Sequence, residues 1–166
     1  MPHEAEIWLN YASENLNSAK VLHDAKLWNP SLNNSQQAVE KSLKAVLCSR
    51  SLIPPKTHSI EYLAHLWEKQ GLARPLSEDE ADLLDSVYMP SKYPLGSVLP
   101  NYQPDGRISQ QCLALANQVF SHAKLYISPD ANSRLRLNKT TSPIWINPDF
   151  DPSEPASEED WPEEFR

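Results

Sequence analysis

The chain has 166 residues, 40% of them hydrophobic, and a formal charge of −7; that length suits one domain with a single buried core plus an extension. Its three glycines, Gly71, Gly96 and Gly106, stand alone, which excludes a phosphate-cradling loop of clustered glycines. No apolar run reaches the length of a membrane span, and the acidic opening Met-Pro-His-Glu-Ala-Glu precedes no signal-type stretch, so a cytoplasmic protein without a membrane partner is expected.

The charge is uneven. Residues 149–166 hold eight acids against one base, which leaves residues 1–148 neutral; a neutral body does not advertise a nucleic-acid surface. Cys48 and Cys112 sit among apolar residues at helical spacing, as buried free thiols do.

In chain order, a first helix is expected over about 2–26, with Trp8, Ala12, Leu16, Ala19 and Leu22 as its apolar stripe, Tyr11 beside them, and Asn10, Glu14 and Asn17 facing water. Asn29-Pro30-Ser31 reads as a turn in which Pro30, at a first helical position, pre-sets φ for a second helix; that helix runs to about Arg50, and Pro54-Pro55 prevents its continuation. Within it, Gln36 to Leu47 contains no Gly or Pro, and Val39, Leu43, Val46 and Leu47 lie on one face. Glu40 and Lys44, four apart with the acid first, read as a surface pair on that helix.

A third helix is expected from Thr57 or Ser59, either of which can cap it, to Gly71. Ser77-Glu78-Asp79-Glu80 is a capping box that opens a short fourth helix bearing Leu83, Leu84 and Val87. Met89 to Gly106, with four prolines, reads as a long irregular connection. The fifth helix, about 107–127, carries Ile108, Cys112, Leu115, Val119, His122 and Tyr126 at spacings of four and three. The expected fold is all-α: an antiparallel bundle of about five helices over residues 1–128, followed by an irregular, Pro-rich, acidic C-terminal extension over 129–166.

Several pieces coincide in order: Trp8, Ala12, Leu16 and Ala19-Lys20, then Gln37-Ala38-Val39-Glu40-Lys41-Ser42-Leu43-Lys44-Ala45, then Thr57-His58-Ser59-Ile60 with Leu63, and finally Ser91-Lys92-Tyr93-Pro94. Over roughly residues 5–127 this combination resembles the HEPN domain, the higher-eukaryote and prokaryote nucleotide-binding domain. The resemblance implies a helical bundle that commonly forms a homodimer. It also implies membership among ribonuclease toxins, partners of small nucleotidyltransferases, or non-catalytic modules that bind nucleotide or RNA. The ribonuclease members use an Arg, four to six residues, then a His, groups suited to charge stabilisation and proton transfer at a phosphate.

This chain lacks that spacing. Arg107 has no His within reach before His122, Arg50 and His58 are separated by a double proline, and the family's usual Arg before Tyr-Pro is Lys92. Lys92 keeps the charge and loses the bidentate fork. The expectation is therefore a non-catalytic or weakly catalytic binding module in a toxin–antitoxin or defence-like system, with Glu40, Lys44, His58, Lys92 and Tyr93 as its nucleotide or phosphate contacts. The alternative is an active ribonuclease of non-standard constellation, using His58 and Lys92. His65 stands seven residues from His58 without a completing carboxylate or Cys, so neither a metal nor a cofactor is expected. The acidic end, with Trp145, Phe150 and Trp161 at intervals, is expected to be a solvated tail or to dock on the basic residues Lys92, Arg107, Arg134 and Arg136.

Overall fold

A computed structural model describes residues 2–92 and 104–127. It has five helices: α1 (Pro2–Asp24), α2 (Trp28–Ser49), α3 (Ile60–Lys69), α4 (Glu78–Lys92) and α5 (Gly106–Ile127). Strands are absent among the described residues. The expected acidic extension, Tyr93, and the proposed tail docking lie outside the described residues.

α2 is the axis of the bundle and touches each of the other four helices; α1 also packs on α5, and α3 on α4. Its apolar period explains this position. Val39, Leu43 and Val46 are fully buried and Leu47 is 1% exposed. Burial extends around most of the helix and takes in Ser31, Ser35, Gln36, Glu40, Ser42 and Lys44. A helix buried on so many sides must satisfy most of its polar groups internally, and only the Ser35 hydroxyl among these buried polar side chains finds no partner. Ser42 does so by donating to the carbonyl of Ala38 at 2.7 Å.

At one end of the bundle, hydroxyls join three helices. The Ser31 hydroxyl donates to the Ala19 carbonyl at 2.9 Å, and that of Ser109 donates to Ser31 at 3.0 Å. With both protons so engaged, His23 Nδ1, 2.8 Å from the Ser109 oxygen, is the donor of that contact. Gly106 opens α5 beside this chain, where a Cβ would meet the Trp28 ring at 3.3 Å. Close approach, rather than backbone freedom, requires glycine there.

Remaining core contacts lock α3 in place. Trp67 is fully buried, donates its indole N–H to the Leu43 carbonyl at 3.1 Å and meets Tyr126 edge-on at 5.5 Å. Asp85 of α4 accepts from the Ile60 and Glu61 amides at 2.7 and 3.2 Å and from the Ser59 hydroxyl at 3.1 Å. A carboxylate thus occupies the positive end of α3. Burial, the largest influence, nevertheless pushes the Asp85 carboxyl up from its ordinary value, while the backbone and hydroxyl donors pull it down. Both cysteines are buried and free, and burial pushes the Cys112 thiol up to about 12 and raises that of Cys48. These are inert core groups.

Helix ends are where the sequence expectations need correction. α2 begins at Trp28, two residues before Pro30, so Asn29 lies in its first turn and not before it; the N–H that Pro30 lacks there has no intrahelical partner to lose. α1 stops at Asp24 because Lys26 adopts φ 60°, with Lys26 N–H donating to the His23 carbonyl and Leu27 N–H to that of Leu22. α2 stops in the same way at Ser51, φ 62°, before Pro54-Pro55 is reached. Gly71, φ 70°, ends α3 by the same pattern, so three helices share one paired C-terminal bond motif.

The capping box is formed, with Ser77 N–H donating to Glu80 Oε2 at 2.8 Å and Glu80 N–H to Ser77 Oγ at 3.3 Å. α4 then continues to Lys92 through Pro90, where irregular chain was expected from Met89. A proline in the last turn sacrifices a single bond, to the carbonyl of residue 86. On α5 the buried face follows Ser109, Cys112, Ala116, Val119 and Ala123, and His122 is exposed, not on the apolar stripe. Tyr11 likewise is 51% exposed.

Candidate functional site

The three candidate residues with described side chains, Glu40, Lys44 and His58, form one connected cluster. Gln36, Glu40 and Lys44 follow at intervals of four along α2, which sets them on one stripe. Glu40 is 3% exposed and Lys44 6%, so the expected surface pair is a buried one. The reason is tertiary. The Trp8 ring of α1 lies 5.4 Å from the Lys44 ammonium, and the segment before α3 lays His58 against the carboxylate.

Both carboxylate oxygens are occupied. Glu40 Oε1 accepts from Lys44 Nζ at 2.9 Å. Oε2 accepts from Gln37 Nε2 and from His58 Nδ1, each at 3.1 Å. Gln36 completes the mesh by donating to the His58 carbonyl at 3.0 Å, while its own oxygen accepts from Gln37 at 2.8 Å. A charge pair taken out of water is tolerated only with its remaining hydrogen-bond capacity satisfied, and these neighbours satisfy it. The pair therefore positions His58 more than it meets solvent.

His58 itself faces outward. Its side chain is 59% exposed, and its ring stacks on Tyr88 of α4 with centroids 5.0 Å apart and planes 23° from parallel. The backbone is held from both directions. Thr57 Oγ accepts from Ser59 N–H at 3.1 Å, and Ser59 caps α3 by accepting from Tyr62 N–H at 3.2 Å. An imidazole with its position, one face and one nitrogen fixed leaves its other nitrogen and other face for a ligand.

Lys92 is the last residue of α4, one helical turn beyond Tyr88; its side chain, like Tyr93, lies outside what is described. Gln36, Gln37, Trp8 and Tyr88 complete the cluster and were not anticipated. The four-residue rhythm of Gln36, Glu40 and Lys44 was the available signal for the first of these. Trp8 and Tyr88 come from other helices and leave no local trace.

The arginines offer no paired histidine at the ribonuclease spacing. Arg74 is committed to structure: it pairs with Glu61 and Glu68 and donates to the Leu76 carbonyl at 2.8 Å. Among the described residues no three His, Cys, Asp or Glu side chains converge on a metal position. No described helix is long and apolar enough to cross a membrane.

Comparison with known proteins agrees with this architecture. A family model described as "HEPN domain" matches residues 5–126. Among solved structures, ST0689, an archaeal HEPN homologue, is 26% identical over 75% of this chain and 98% of its own, with a TM-score of 0.58. TT1696 from Thermus thermophilus is 25% identical over 74% of this chain and 97% of its own, with a TM-score of 0.60. No curated protein matches. With the family model spanning the whole five-helix body, the chain belongs to the HEPN domain family.

Proposed function

We propose that this chain is a HEPN binding module for a nucleotide or RNA-derived ligand, non-catalytic or at most weakly catalytic. In this reading it acts in the cytoplasm as a homodimer with a partner protein, of which a nucleotidyltransferase is the favoured type, in a toxin–antitoxin or defence-like system. The observation that carries the reading is the exposed His58 ring, stacked on Tyr88 and oriented by a buried carboxylate. An exposed polar ring whose position is fixed by buried neighbours is preorganised for recognition. His58 is then the direct contact, Glu40 and Lys44 hold it, and Lys92 and Tyr93 extend the same site along and beyond α4.

Absence of the Arg-to-His spacing supports binding over cleavage. Incubating the purified full-length protein with bulk RNA tests this ranking. The expected outcome is no cleavage by wild type and none lost in His58→Ala. Clear cleavage abolished by His58→Ala or Lys92→Ala would reverse the ranking in favour of a ribonuclease. Co-expression with the product of the neighbouring reading frame tests the partner, with co-purification expected.

A further inference from the structure

We propose that the site offers its ligand a hydrogen-bond acceptor, the Nε2 of a His58 held in its Nδ1–H tautomer by Glu40, and so takes a neutral N–H or O–H donor in preference to a phosphate. On a nucleoside that donor is a base exocyclic amino group or a ribose hydroxyl. The inference rests on the reading of His58 as a ligand contact.

The hydrogens decide the tautomer. A carboxylate paired with an ammonium is an acceptor only, and Glu40 is bonded to Lys44 at 2.9 Å. Gln37 donates to the same Oε2 that His58 Nδ1 approaches. The hydrogen of the His58 contact therefore sits on Nδ1, and in the neutral ring Nε2 carries a lone pair. That nitrogen belongs to a side chain more than half exposed, whose one face is covered by Tyr88.

Charge favours neither class of ligand. The Lys44 side chain is 7% exposed and turned onto Glu40, so its charge is cancelled inside the cluster. The other titratable groups on the elements around the ring include Lys56 before it, Glu61 on α3, and Asp85, Tyr88 and, one turn further, Lys92 on α4. Two lysines thus stand against two acids, of which Asp85 is engaged at the start of α3 and Glu61 with Arg74, so the case for a neutral donor rests on the tautomer. A phosphate would have to bring its own proton to the imidazole, whereas a neutral donor would not.

The direct test is nitrogen NMR of the His58 ring in the full-length protein at pH 8.5. The expected spectrum shows Nδ1 protonated and Nε2 bare. Adenosine should shift the Nε2 resonance, and inorganic phosphate should not. Loss of that response with 2′-deoxyadenosine assigns the donor to the ribose hydroxyl, and loss with purine riboside, which lacks the amino group, assigns it to the base.

The double variant Glu40→Leu with Lys44→Met, which removes both buried charges and the acceptor together, should release the ring to mixed tautomers and lose the response. An Nε2-protonated ring in wild type, an unchanged tautomer in the double variant, or a shift of the Nε2 resonance by inorganic phosphate at pH 8.5 as large as that by adenosine would each overturn the inference and leave the binding site standing. Silence of the His58 resonances towards every probe would overturn both.

Discussion

Replacing Glu40 by leucine leaves the Lys44 ammonium almost wholly buried, with the Trp8 ring as its remaining neighbour. Breaking a buried pair by removing one partner costs about 3–5 kcal/mol, because the other charge is stranded. His58 and Gln37 add little to that cost, since His58 can turn its N–H to water. Lys44→Met strands the carboxylate instead, but two donors at 3.1 Å remain on Oε2, so a smaller loss of about 2–3 kcal/mol is expected. Made together, the two substitutions remove both charges and leave apolar groups of similar length. The double variant should then lie within about 1 kcal/mol of wild type. Urea unfolding followed by circular dichroism on all four proteins gives the cycle, with a coupling of several kcal/mol expected. Additivity to within about 0.5 kcal/mol would show that the two charges do not depend on each other and would refute the argument.

Three further outcomes follow from the helix ends and the core. Lys26→Gly and Ser51→Gly should each raise stability by up to about 1 kcal/mol, because both positions hold a left-handed backbone; Gly71→Ala, with open space around its Cβ, should lose a similar amount from backbone strain alone, all three read from thermal melts. Asp85 has its carboxyl raised by burial, so the folded state holds its proton more tightly than the unfolded one. Its contribution is therefore full below the ordinary carboxylate value of 3.8 and declines as pH rises through the raised value; Asp85→Asn should flatten that part of the stability–pH profile, and an unchanged slope would contradict the assignment. Leu43→Asp places an unpaired charge at a fully buried position on the central helix and should cost more than about 4 kcal/mol or prevent folding; a wild-type melt would refute the placement.

Much of the bundle is legible from local pattern. The run from Gln36 to Leu47 declares a buried helix by period alone, and Ser77 with Glu80 declares a helix start by spacing. The ends of α1 and α2 are legible to within two residues, but the caps that make them are not, because Lys26 and Ser51 stand where glycine would normally signal a left-handed cap. Pro90 misleads for the opposite reason, since proline signals a break but is tolerated in terminal turns. At the site, the Glu40–Lys44 spacing reveals that a pair exists, while its burial depends on Trp8, more than thirty residues upstream. The resemblance brings His58 to attention; its orientation comes from α2 and its stacking from Tyr88, contacts made only by the assembled fold.

The central position of α2 has a kinetic side. Its amides are covered by four helices, so exchange with solvent there requires the whole bundle to open. α3 spans only 10 residues and is tethered at its start largely by Asp85. Its first turn can fray in a smaller fluctuation that leaves Trp67 in the core and carries the His58 segment away from Glu40. Glu40 thus rides on the slowest-exchanging element of the molecule and His58 at the hinge of a faster one. A ligand held by the His58 ring would register first as slowed exchange of the Ile60 and Glu61 amides, well before any change in global melting.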